Sequence, residues 1–109
     1  MPPELARPAG TLALTPAELH TVRAIVDAVI PDAQIRVFGS RATGSARPFS
    51  DLDLLVVEPV QLTWRQRAEL RDRFEASALP FCVDVGEATG LAAGMVERAW
   101  LESVPLRSR

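Results

Sequence analysis

Lysine and tyrosine are absent from this chain, and cysteine and histidine occur once each. A single cysteine, Cys82, excludes an intramolecular disulfide and fits a reducing compartment. Set in LPFCVDV, it is expected to be a buried, inert thiol. The single histidine, His20, falls on the polar side of a helical pattern and is given no catalytic role. No apolar run approaches the roughly 20 residues a bilayer requires. The N-terminal stretch MPPELARPAGTLAL has Glu4 and early prolines, and lacks the charged-then-apolar layout of a secretory signal. The expected location is therefore the cytoplasm, with no membrane partner. An excess of positive charge is also missing. The formal net charge of -2 argues against a general electrostatic grip on DNA or RNA, and no direct DNA binding is expected. All twelve basic residues are arginine, which suits forked contacts to any phosphate that lies near one.

What is present reads as one domain. A chain of 109 residues has room for a single core, and 48% apolar with 24% charged residues is ordinary for a globular protein. Residues 1–14, rich in Pro and Ala, read as a flexible arm, and residues 15–106 as the domain. TPAELHTVRAIVDAVIP predicts a helix. Thr15 and Glu18 form a capping-box pattern, Pro16 takes the first helical position, and Leu19, Val22, Ile25, Val26 and Val29 make an apolar stripe. QIRVFG is a short strand, followed by one helical turn and a loop in SRATGSARPFS. DLDLLVV is the strongest strand pattern. It is apolar at every position past Asp53, as in a strand covered on both faces. Thr63 and Gln66 open a second capped helix through about Ser77, anchored by Leu70 and Phe74. Its arginines (Arg65, Arg67, Arg71, Arg73) alternate with acids, as on a solvated face. PFCVDVG is a third strand closed by Gly86. A last helix is expected from about Leu91 to Val104, with Val96, Ala99, Trp100 and Val104 facing inward. The expected class is α/β, a small mixed sheet of about three strands flanked by helices.

The chemistry-bearing residues sit at strand ends. Asp51 and Asp53 alternate to the same face. Two carboxylates side by side repel, and a cation between them removes the conflict. With no thiol or imidazole beside them, a hard ion such as Mg²⁺ or Mn²⁺ suits the pair. Gly39 permits close backbone approach to a ligand, and Ser40 offers a hydroxyl and N–H to phosphate oxygens. A shared site requires the first and second strands to run antiparallel. Asp84, taken as lying near the end of the third strand, would then require that strand to run parallel to the first. Two metal ions held by Asp51 and Asp53, one of them also by Asp84, could clamp a triphosphate for in-line attack, with Asp84 helping to deprotonate the attacking hydroxyl. Arg41 and Arg47 flank the loop as candidate phosphate contacts.

Gly39-Ser40, ten intervening residues, then Asp51-Leu52-Asp53 resembles the signature of the minimal nucleotidyltransferases, within the DNA polymerase β-like nucleotidyltransferase superfamily. FGSRATG, ARPFSDLDLLV and the later VDV agree with it, and the likeness runs from about residue 17 to 106. The resemblance implies the polymerase β-like fold, Mg²⁺ (two ions, with Mn²⁺ able to substitute) and nucleoside monophosphate transfer from a triphosphate, ATP above others. It carries over Gly39, Ser40, Asp51, Asp53 and Asp84. Many such domains are similar to adenylyltransferases that modify a toxin tyrosine and act as antitoxins to HEPN-domain RNase toxins. A HEPN toxin, associating with this chain into an oligomer, is therefore the expected partner. The chain as given holds no acceptor domain and no tyrosine, so the acceptor is expected in another molecule.

Blander roles exist for each residue. Asp51 could be a turn acid after Ser50, and Asp84 a solvated strand-end acid. Ser45 and Ser50 read as turn residues, Trp64 and Trp100 as packing residues rather than a stacking platform. Two other functions fit the same sequence: a module that masks its partner without chemistry, and nucleotidylation of a small molecule.

Overall fold

Apolar periodicity and capping chemistry set the elements. The computed structural model describes residues 12–59, 61–87 and 102–106. In chain order these contain α1 (Pro16–Val29), β1 (Gln34–Phe38), α2 (Ser40–Thr43), β2 (Leu52–Glu58), α3 (Trp64–Glu75), β3 (Val83–Glu87) and β4 (Val104–Pro105). At the start of α1 the Glu18 N–H donates to the Thr15 hydroxyl (3.1 Å), and the Thr15 N–H donates to the Glu18 carboxylate (2.9 Å). Thr63 and Gln66 repeat this box at α3. Each box satisfies N–H groups that helix geometry leaves without a partner, worth about 1 kcal/mol. Val22 and Val26 of α1 and Leu70 and Phe74 of α3 are buried in one core, with Leu19, Ile25 and Val29 at its margin. Among the described residues no helix is long and apolar enough to cross a membrane.

The sheet has the order β3-β2-β1-β4. β2 lies inside it, antiparallel to β1 and parallel to β3, and Leu52, Leu54, Leu55 and Val56 are each at most 1% exposed. Burial on both faces explains the unbroken apolar run. Leu52, Leu54 and Val56 join the core under α1 and α3, while Asp53 and Leu55 alternate to the opposite face.

Several expectations are corrected. β3 runs parallel to β2 and hence antiparallel to β1. Asp84 is the second residue of β3, not near its end, because the strand starts at Val83 and continues through Gly86 to Glu87. With α3 as the crossover between β2 and β3, a parallel pair is the natural result. Next, Val104 is not helical: Val104–Pro105 pairs with β1 as a fourth strand (Val37↔Val104, Arg36↔Pro105) at an edge, where proline is tolerated. Of the rest of the expected last helix, Glu102, which is helical, and Ser103 are described, while Val96, Ala99 and Trp100 lie outside the described residues. Two side chains expected to be buried are exposed. Cys82 precedes an edge strand, and Trp64, at the first turn of α3, is 72% exposed. Finally, Leu12 is buried in the core and the Ala13 N–H donates to the Arg41 carbonyl (3.0 Å), so ordered packing reaches upstream of residue 15.

Candidate active site

β1 ends opposite the start of β2, with Phe38 paired to Asp53. The chain then turns at Gly39, whose φ of 77° and ψ of −157° belong to a region open essentially to glycine. A second constraint acts there. A Cβ on Gly39 would stand 2.6 Å from Asp53 Oδ2, so the absent side chain is what lets the backbone meet the carboxylate. Ser40 opens α2 immediately afterwards. The Ala42 and Thr43 N–H groups donate back to the Gly39 carbonyl (3.0 and 3.1 Å), and those of Gly44 and Ser45 to the Ser40 carbonyl (3.0 and 3.1 Å).

Parallel register brings in the third acid. Asp53 and Asp84 are Cα partners across β2 and β3. The Leu52 N–H donates to the Cys82 carbonyl (2.9 Å), which ties the two strand starts together. Asp51 and Asp84 are exposed and Asp53 is half-buried. The Asp53 carboxyl is raised above its ordinary value by burial, then by the charges of Asp84 and Asp51. The three acids therefore share one electrostatic neighbourhood, with the most buried bearing the conflict.

A divalent cation fits this donor set in chemistry. The groups are hard oxygen donors, and their mutual repulsion is what a cation relieves. Among the described residues no three acidic, histidine or cysteine side chains already stand in ligand geometry. That is compatible with Mg²⁺, which takes one or two carboxylates and completes its shell with water and substrate phosphates.

The other candidates separate. Arg41 is 4% exposed, and its guanidinium is turned to backbone carbonyls, a role different from the phosphate contact expected of it. Arg47 is exposed on the same loop. Ser50 behaves as a turn residue: its hydroxyl accepts from the Arg47 N–H (2.9 Å), and its N–H donates to the Arg47 carbonyl (3.0 Å). Ser45 does likewise, through its N–H to Ser40 and a hydroxyl contact with Thr43 (3.2 Å).

One feature escaped the sequence reading. A groove of about 620 Å³ runs between α3 and the edge of β3, lined by Trp64, Arg67, Ala68, Arg71, Val83, Asp84 and Val85. Its α3 wall follows i, i+3, i+4, i+7 spacing, which is the signal that could have found it.

The profile of the nucleotidyltransferase domain family matches residues 19–107, most of the sequence and all of the acid-bearing strands. The chain belongs to that family. It is similar to "Probable protein adenylyltransferase MntA" of Haemophilus influenzae, 38% identical over 68 residues, or 62% of this chain and 60% of that protein. The chain thus aligns with about 60% of the length of that relative. Among solved structures, a chain provisionally described as a minimal nucleotidyltransferase is 39% identical with a TM-score of 0.60, covering 80% of this chain and 94% of its own. A toxin–antitoxin crystal structure with AMP-PNP aligns with a TM-score of 0.67 over 84% of this chain and 73% of the other. At 24% identity, that likeness shows the fold.

Proposed function

We propose that this protein transfers a nucleoside monophosphate, AMP from ATP in the first instance, to a hydroxyl of a partner protein, and that it serves as the antitoxin of a HEPN-type RNase toxin. The observation that carries the transfer is the approach of Gly39 to the Asp53 carboxylate, with Asp84 beside it in register. Ser40 would hold phosphate oxygens through its hydroxyl and N–H, and exposed Arg47 is the nearby cation for them. Asp51 and Asp53 would hold a divalent cation, Mg²⁺ or Mn²⁺, which supplies positive charge against the triphosphate when bound. The acceptor oxygen forms a bond to the α-phosphorus as the bond to the pyrophosphate oxygen breaks. Pyrophosphate leaves, and the hydroxyl proton passes to Asp84, which stands beside Asp53 in register.

The protein acceptor and the choice of AMP are supported by similarity to the Haemophilus influenzae protein named as an adenylyltransferase. The antitoxin role and the HEPN partner are supported by the resemblance of the Gly39-Ser40 and Asp51–Asp53 motifs, with the fold shared with the toxin–antitoxin structure alongside. The 109 residues given hold no tyrosine, so a tyrosine acceptor would lie outside them.

The test is label transfer. The protein is incubated with Mg²⁺, each α-labelled triphosphate in turn and a lysate of the source cells, beside its Asp53→Asn variant. A labelled protein band that appears only with the unaltered carboxylate is expected, with ATP the best donor. No band with any triphosphate would refute protein nucleotidylation.

A masking module is the second reading, favoured by the exposure of two large apolar side chains, Phe49 (76%) and Trp64 (72%), that partner contact would cover. Toxin neutralisation that survives Asp53→Asn at equimolar protein, without nucleotide, would select it over the enzyme.

A further inference from the structure

Among the described residues Arg41 is the one buried charged side chain. A buried cation is unfavourable unless its donors are satisfied. Here backbone carbonyls satisfy them. Arg41 Nη1 donates to Ala13 (2.6 Å) and Nε to Ser50 (3.1 Å). Nη2 is shared among Ser50 (2.9 Å), Pro48 (3.1 Å) and Arg47 (3.3 Å). The guanidinium carbon lies over the Phe81 ring, 4.0 Å from its centroid.

Apart from Ala13, ahead of α1, the partners lie on the segments that lead into the proposed site residues. Arg41 itself follows Gly39-Ser40. Ser50, held twice, is the residue before Asp51 and leads into Asp53. Phe81 stands just upstream of Asp84, on the segment whose Cys82 carbonyl accepts from Leu52 (2.9 Å). One side chain therefore joins the turn after β1, the entry to β2 and the approach to β3.

We propose that Arg41 is a positioning residue that fixes the spacing of Asp51, Asp53 and Asp84. This rests on the nucleotidyl-transfer reading for its kinetic consequence, but not for its structural one. Arginine suits the task because a planar fork with five donors can bond carbonyls along its edges while stacking through its face. A lysine ammonium keeps the charge but has no such face, and it cannot reach Ala13 and Ser50 from one planar group.

Arg41→Met and Arg41→Lys test this with two readouts. The first is steady-state label transfer. A positioning role lowers kcat at least tenfold in both variants and leaves KM for ATP within twofold, because the guanidinium donors are taken by backbone carbonyls. The second is amide hydrogen exchange, which needs no activity. The Leu52 amide should exchange at least tenfold faster relative to Val26 of α1, whereas general destabilisation speeds both alike. A raised KM with intact kcat would make Arg41 a nucleotide contact and overturn the proposal. An unchanged Leu52-to-Val26 ratio would overturn it, as would wild-type behaviour of Arg41→Lys in both measurements. If the unaltered protein transfers no label, the functional reading falls separately, and the exchange ratio alone decides the role of Arg41.

Discussion

Replacing Gly39 with alanine tests the centre of the site through stability rather than activity. Two terms oppose the substitution. The backbone angles of 77° and −157° lie where a non-glycine residue is disfavoured by about 1–3 kcal/mol. The new Cβ would also meet Asp53 Oδ2 at 2.6 Å, forcing the carboxylate to rotate off its preferred angle at about 0.5–1.5 kcal/mol. Together these give roughly 2–4 kcal/mol, and at about 4 °C per kcal/mol a fall in Tm of ~8–16 °C. Circular dichroism melts with parallel urea titrations measure it. The decisive comparison is a cycle with Asp53→Ala. Without the carboxylate, the nearest remaining Asp53 atom to the new Cβ is its own Cβ at 3.7 Å, an ordinary contact. The Gly39→Ala penalty should then shrink by about 1 kcal/mol, the coupling expected of touching groups. Gly44→Ala is the reference. Its φ of 91° and ψ of 6° predict a backbone penalty of about 1–2 kcal/mol with no coupling to Asp53. An identical Gly39→Ala penalty in both backgrounds would refute the contact between Gly39 and the acid. A penalty below ~0.5 kcal/mol would refute the backbone argument as well.

Asp53→Asn should stabilise the protein near neutral pH in the absence of divalent cations. Burial, Asp84 and Asp51 raise the Asp53 carboxyl above 3.8, so the folded chain holds that proton more tightly than the unfolded chain does. The stability this contributes is complete below the ordinary carboxylate range and is lost as pH rises through the raised value. The advantage of Asp53→Asn in a melt should therefore be full near pH 7 and vanish toward about pH 3; an advantage independent of pH would contradict the assignment. Leu54→Ala, at a side chain 1% exposed in an inner strand, should lose about 2–5 kcal/mol in urea titrations. Trp64→Ala, at a side chain 72% exposed, should change stability by less than ~0.5 kcal/mol in the same assay.

Local chemistry made much of this fold readable. Thr15 with Glu18 and Thr63 with Gln66 start helices because their side chains satisfy backbone N–H groups within three residues, and no tertiary context is needed to see it. Likewise the run from Leu52 to Val56 declares its burial on both faces by having no polar member past Asp53. Direction and edges are set by the whole sheet, and there the sequence misleads. Nothing near Asp84 says that β3 begins at Val83, so the sequence alone suggests the opposite strand sense, although the acids still meet. Val104–Pro105 is too short to signal a strand, and it exists through pairing with β1. Cys82 and Trp64 look like core residues by type alone, and their exposure follows from an edge strand and a helix start. At the site, Gly39 and the acids were legible from spacing and resemblance. The role of Arg41 was not, because its partners Ala13, Ser50 and Phe81 come together only when the chain folds.

The most direct measurement of the central claim, that Gly39-Ser40, Asp53 and Asp84 form one metal–nucleotide site, is paramagnetic broadening by Mn²⁺ in the presence of a non-hydrolysable ATP analogue. A chain of 109 residues gives a resolved amide spectrum. At substoichiometric Mn²⁺ the amides of Ser40, Asp53 and Asp84 should broaden together, ahead of those of exposed acids elsewhere such as Asp32 and Glu75, and Asp53→Asn should abolish the effect. Broadening spread evenly over the surface carboxylates, or confined to residues remote from Asp53, would contradict it.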